Sequence, residues 1–125
     1  MRRNPFLKYM GKEDLLQNRV MRYLDINYPD ALFTHVSNEG KRTPFEQFKM
    51  RFLGTKKGVP DILIFTGNKK YSGLAIELKT GYNKPTRSQE TWLISLKNCG
   101  WYVCWLNDYE QVITTINKYF NNYDI

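Results

Sequence analysis

Residues 58–79 limit what this chain can fold into more than any other stretch. Gly58-Val59-Pro60-Asp61-Ile62-Leu63-Ile64-Phe65 runs into a polar break at Gly67-Asn68-Lys69-Lys70, and Leu74-Ala75-Ile76-Glu77-Leu78-Lys79 follows. Two apolar runs around a short Gly/Asn/Lys break predict a β-hairpin. With residues 67–71 as the loop, Thr66 pairs with Ser72, Phe65 with Gly73 and Asp61 with Glu77. Directly opposed residues of an antiparallel pair share a face, with Cβ atoms roughly 5 Å apart. Lys79, two residues beyond Glu77, joins them because side chains alternate. Three ionisable groups are therefore expected at one end of an otherwise apolar hairpin.

Two opposed carboxylates destabilise a sheet unless a cation compensates them. Lys79 supplies part of that charge. A divalent metal would supply the rest, and Mg2+ is typically held by one or two carboxylates, with other positions left to water and phosphate oxygens. That combination suits phosphodiester hydrolysis. The plainer alternative is a surface ion-pair ladder with no chemistry attached.

Pro60-Asp61, fifteen residues, then Glu77-Leu78-Lys79 resembles the PD-(D/E)XK nuclease signature. The longer ordered set is similar to its VRR-Nuc (virus-type replication-repair nuclease) branch, over about residues 13–116. That set is Gly58-Val59-Pro60-Asp61, Glu77-Leu78-Lys79, Gln89 followed by Trp92, and Gly100 before a hydrophobic strand, with Glu13 and Gln17 on an early helix. The resemblance implies an α/β fold with a restriction-endonuclease-like αβββαβ core, a mixed β-sheet flanked by helices. It implies a Mg2+- or Mn2+-dependent DNA endonuclease. Asp61 and Glu77 would be the metal ligands, with the Leu78 backbone carbonyl and Glu13 assisting. Lys79 would be the catalytic cation, and Gln89 would position Lys79 or the substrate phosphate. Stand-alone members of the family imply branched DNA, four-way (Holliday) junctions foremost, and a role in replication, repair or recombination in a bacterial or phage-infected cell. Nicked, flapped or plain duplex DNA are the alternative substrates.

At 125 residues the chain is expected to hold one domain, residues 12–125, behind a basic arm, residues 1–11. No apolar run approaches the ~20 residues that span a bilayer, and the first residues lack a hydrophobic signal core. Cys99 and Cys104 form neither a CxxC pair nor a disulfide framework. A soluble, cytoplasmic protein without a small-molecule cofactor is the expectation. The formal charge of +7 is uneven: residues 1–60 hold 12 Lys/Arg against 6 Asp/Glu, and residues 61–125 hold 7 against 6. Lys41, Arg42, Lys49, Arg51, Lys56 and Lys57 crowd one segment, with Lys84 and Arg87 further on. Such a set attracts a polyanion, nucleic acid by default, unless it is only a solvated face. A non-catalytic nucleic-acid-binding module is the competing class, and nothing resembles a nucleophile elbow of a small-molecule hydrolase.

Helical spacing of Leu16, Val20, Tyr23 and Leu24 predicts a helix over residues 13–27, with Glu13 on its inward face. There Glu13 either complements the helix dipole or, as the resemblance implies, faces the hairpin carboxylates. Residues 31–36 read as a strand, and its His35 as a packed or surface histidine rather than a base. Thr43-Pro44 opens a short helix or ordered loop to residue 53 that ends at Gly54. Thr86 and Gln89 have capping-box spacing, so Gln89 is either a cap or functional. Residues 101–106 read as a buried strand, and Asp108 caps a last helix with Val112, Ile113, Ile116 and Phe120 inward. The 19 aromatic residues, Trp101, Tyr102, Trp105, Tyr119, Phe120 and Tyr123 among them, exceed what so small a core encloses. Exposed aromatics and one site per chain together predict a homodimer.

Overall fold

A computed structural model describes residues 3–37 and 42–122. Helix α1 (Lys12–Asn27) leads to strand β1 (Phe33–His35) and helix α2 (Pro44–Leu53). The hairpin β2 (Ile62–Ile64) and β3 (Leu74–Leu78) follows, then α3 (Arg87–Asn98), β4 (Tyr102–Leu106) and α4 (Tyr109–Phe120). The sheet order is β1-β2-β3-β4, with β1 and β2 antiparallel neighbours, β2 and β3 likewise, and β3 parallel to β4. A hairpin loop can reverse the chain only into antiparallel pairing, whereas parallel strands need a crossover, and α3 is that crossover. The expected mixed sheet flanked by helices is the fold observed, and α2 is spliced between β1 and β2.

The hairpin register is the expected one: Ile62 pairs with Ile76, Leu63 with Ala75 and Ile64 with Leu74. Continued by one residue, it sets Asp61 opposite Glu77. Ile62, Ile64, Leu74, Ile76 and Leu78 form the core with Leu16, Val20 and Leu24 of α1 and Val112, Ile116 and Tyr119 of α4. The alternate residues Asp61, Ala75, Glu77 and Lys79 face away from that core. All five residues of β3 are buried, as befits the middle of a covered sheet.

Local chemistry sets the element ends. Thr43 Oγ1 accepts the Glu46 N–H at 3.1 Å, Pro44 takes the first helical position, and Gly54 closes α2 at φ +96°. Asp108 Oδ2 accepts the Gln111 N–H at 3.1 Å at the start of α4. In the hairpin loop Asn68 Oδ1 accepts the N–H groups of Lys70 and Tyr71 at 2.9 and 2.6 Å. Its Nδ2 donates to the Tyr119 carbonyl at 2.9 Å, tying the loop to α4.

Three expectations change. The strand over residues 101–106 is half-buried rather than buried, because β4 is a sheet edge and Trp105 stays 41% exposed. In the arm, Pro5–Tyr9 coils into a 3-10 turn capped by Asn4, with every described residue exposed. Tyr119 is fully buried, and Trp101, Tyr102 and Phe120 are partly so. Tyr123 lies outside the described residues, and of the expected aromatics only Trp105 is exposed; Phe45, Phe48 and Phe52 are exposed together on α2, and Phe6, Tyr9, Phe65 and Tyr82 are exposed elsewhere.

Candidate functional site

β2, β3 and the start of α1 meet at one corner of the sheet. Ligand oxygens of Glu13, Asp61 and Glu77 lie within 4.8 Å of one another there. Glu77 is fully buried, Asp61 is 7% exposed and Glu13 is half-buried. The position of Glu13 follows from helical spacing: three residues before Leu16, it takes the inward face one turn ahead of the core stripe. Lys79, 8% exposed, puts Nζ 3.7 Å from Glu77 Oε2. Its own N–H donates to the Leu106 carbonyl at 2.9 Å, so β4 fixes the backbone from which it projects.

Asp61 is held from three directions. Its Oδ2 accepts the Leu78 N–H at 2.7 Å, and its carbonyl accepts the Val36 N–H at 3.0 Å. His35 Nδ1 lies 2.7 Å from the same carbonyl, as a donor must. The hairpin register would set residue 60 opposite Leu78. Pro60 has no N–H to give, so the ladder cannot supply a donor to the Leu78 carbonyl at the site.

A cavity of about 110 Å3 opens onto this corner, lined by Glu13, Asp14, Gln17, His35, Val36, Ser37 and Asp61. Gln17 Nε2 is buried with no hydrogen-bond partner among the described residues. Asp14 turns back to accept the Gly11 N–H at 2.9 Å, a capping role. The presence of His35 in this wall was not legible from sequence, because it depends on β1 pairing with β2 so that His35 lies opposite Ile62.

Gln89 is 6% exposed, and its Oε1 accepts the Thr86 N–H at 2.8 Å while Thr86 Oγ1 accepts the Gln89 N–H at 3.3 Å. Of its two expected roles, these bonds carry the cap. The first turn of α3 is nevertheless pressed against the approach to Asp61. Gly58 sits at φ +86°, and a Cβ there would lie 2.6 Å from the Ser88 carbonyl group. Only glycine allows that backbone approach.

The cations divide. Arg42, Arg51, Lys56 and Lys57 line one groove of about 490 Å3 with Gln47, Met50 and Thr55. Lys49 is exposed on α2 outside that lining, Lys84 and Arg87 are exposed around the start of α3, and Lys41 lies outside the described residues.

A mixed four-stranded sheet carrying three converging carboxylates and a lysine at one corner defines an α/β domain with an acidic cluster that could hold a metal ion. The VRR-NUC domain model matches residues 10–107, and the chain belongs to this nuclease-type family. It is similar to a solved "VRR_NUC domain protein" at 25% identity and TM-score 0.70, over 92% of this chain and 93% of that one. A second solved structure, "VRR_NUC domain", shares the fold at 20% identity and TM-score 0.51, over 83% of this chain and 97% of that one. No curated protein matches the chain. Among the described residues no helix is long and apolar enough to cross a membrane.

Proposed function

We propose that this chain is a metal-dependent DNA endonuclease acting on branched DNA, four-way junctions foremost, in replication, repair or recombination. One observation carries the reading: Glu13, Asp61 and Glu77 converge within 4.8 Å beside Lys79. Three hard oxygen donors around one point suit Mg2+ or Mn2+. Asp61 and Glu77 would hold the ion with Glu13, and the Leu78 carbonyl, opposite an imino acid that cannot donate to it, would be a fourth ligand. The chemistry such an ion supplies is polarisation of the scissile phosphate and acidification of water.

The protein's own groups do the rest. Leu78 N–H holds Asp61 Oδ2, which leaves Oδ1 for the ion. Lys79, buried and backbone-anchored, stabilises charge developing on the phosphate. Gln17 Nε2 offers a donor in the cavity for a phosphate oxygen. Gln89 sets the first turn of α3 beside Gly58 and thereby the position of the substrate phosphate. Arg42, Arg51, Lys56 and Lys57 bind backbone phosphates along their groove, with Lys41, Lys49, Lys84 and Arg87 extending the track.

One such site cuts one strand. Symmetric resolution of a junction needs two cuts related by a two-fold axis, which a homodimer supplies. The activity needs no small-molecule cofactor and belongs in the cytoplasm, where the DNA is. End-labelled four-way, flapped, nicked and plain duplexes, incubated with Mg2+, Mn2+ or EDTA, test the reading. Metal-dependent cutting of the junction at symmetric positions is expected. Cutting in EDTA, or none on any substrate, overturns it.

A further inference from the structure

The dimer required by this nuclease reading has no seam assigned to it, and α2 is an element without a substantial packing partner among the described residues. It is well formed locally, with its capping box closed by Thr43 and Glu46 and its end set by Gly54. Yet none of its ten residues is buried, and it makes no substantial contact with any other described element. A helix this short is marginal in water without tertiary packing. Phe45, Phe48 and Phe52, spaced i, i+3, i+7, form one stripe and are 70%, 56% and 77% exposed, with Leu53 beside them at 70%. The Phe48 and Phe52 rings stack at 5.8 Å, so the stripe is continuous.

We infer that this stripe is where two copies of the chain meet, α2 lying antiparallel on α2 about a two-fold axis at Phe48. DNA does not fit the same face as well. Arg42, Arg51, Lys56 and Lys57 line the groove, and no phenylalanine does. Single-strand platforms interleave aromatics with cations along one track, whereas α2 keeps the two apart. Self-association fits it better. In the antiparallel pair Phe45 of one copy covers Phe52 of the other and the two Phe48 rings meet on the axis. Glu46 and Lys49 border the stripe on one side by helical spacing. In an antiparallel pair like flanks face each other, so Glu46 of each copy opposes Lys49 of the second, and the face complements itself in charge as well as shape. The aromatic and leucine surface closed off over both copies is roughly 1,000 Å2, the lower bound for a specific interface.

Sedimentation of the metal-free protein at micromolar concentration, without DNA, tests this. Wild type should run as two 14.9 kDa chains. Phe48→Ser with Phe52→Ser should weaken dimerisation at least about 100-fold, since central aromatics dominate such interfaces. As neither side chain is buried within the chain, a far-UV spectrum matching wild type and a cooperative thermal transition that no longer rises with protein concentration show that the variant is folded. In a Cys99→Ser background, Phe48→Cys should form a disulfide-linked dimer on oxidation, and Ile94→Cys, equally exposed on α3, should not. A single-chain mass in wild type, a dimer that survives the double substitution, or a loss of DNA affinity with unchanged mass each overturns the assignment. Mass is read without metal or DNA, so a monomer that still cuts overturns the seam and the homodimer while leaving the metal-dependent cleavage standing. A dimer that never cuts overturns the nuclease reading and leaves the seam standing.

Discussion

Asp61 Oδ2 accepts the backbone N–H of Leu78 at 2.7 Å, so one candidate metal ligand is hydrogen-bonded to the residue lying between Glu77 and Lys79. The carboxylate thus has a structural task besides the chemical one. Asp61→Asn keeps an acceptor for that N–H and relieves repulsion against Glu77 and Glu13, so thermal stability without metal should stay the same or rise slightly. Asp61→Ala strands a buried donor and should cost about 1–3 kcal/mol. Cleavage should vanish in both. Denaturant melts of the two variants in EDTA, beside a junction-cleavage assay, check the split; equal large losses of stability would show the group to be purely structural.

Lys79→Ala should abolish turnover while leaving DNA affinity within about twofold, because a single lysine beside the scissile phosphate acts on the transition state more than on the ground state. Single-turnover cleavage against binding in Ca2+ separates the two. A parallel fall in both would move Lys79 into the binding surface.

Neutralising Lys56 and Lys57 should do the reverse. Affinity should drop and the slope of log affinity against log salt should shrink by about one to two. An unchanged slope would mean that these lysines make no phosphate contact.

Gly58 and Gly54 both adopt positive φ, at +86° and +96°, but a Cβ at Gly58 would strike the Ser88 backbone while one at Gly54 meets nothing within 4 Å. Gly54→Ala should therefore cost only the conformational strain of about 1 kcal/mol. Gly58→Ala should cost more and should also lower cleavage by displacing Pro60 and Asp61 from α3. Melting temperatures and rates of the pair settle whether contact or φ dominates.

Burial pushes the Tyr119 hydroxyl up from 10.0 to about 12. It pushes the Cys104 thiol up from 9.0 to about 12. Both groups fold best protonated, so their stabilisation is complete below their unfolded values and disappears as pH climbs toward 12. Tyr119 also donates to the Thr66 carbonyl at 2.8 Å, a bond that ionisation removes. Tyr119→Phe should lose about 1 kcal/mol at neutral pH yet fall less steeply between pH 10 and 12 than wild type does. Urea midpoints across that range provide the check.

Much of this arrangement is legible from residue order because it depends on local periodicity. The register that faces Asp61 with Glu77 needs only alternation and a loop length, and the inward turn of Glu13 needs only its distance from Leu16. What was not legible depends on pairing between distant segments. His35 enters the cavity wall because β1 pairs with β2, and no residue near His35 signals that. The half-buried state of β4 follows from its place at the sheet edge, which its apolar composition conceals. Phe45, Phe48 and Phe52 have the spacing of a core-facing stripe, and periodicity cannot say whether the core in question lies in the same chain.

The anchoring of Lys79 by Leu106 has a consequence for the order in which the chain is made. A ribosome delivers the hairpin with both carboxylates well before it delivers β4, and domains complete their packing only as the later segments arrive. Until residue 106 has left the exit tunnel, the backbone beneath the lysine has no strand to lie on and α4 is absent from the core. Premature termination upstream therefore yields fragments that hold the acidic pair without a seated cation beside it. On the proposed nuclease reading, such fragments should not cut DNA.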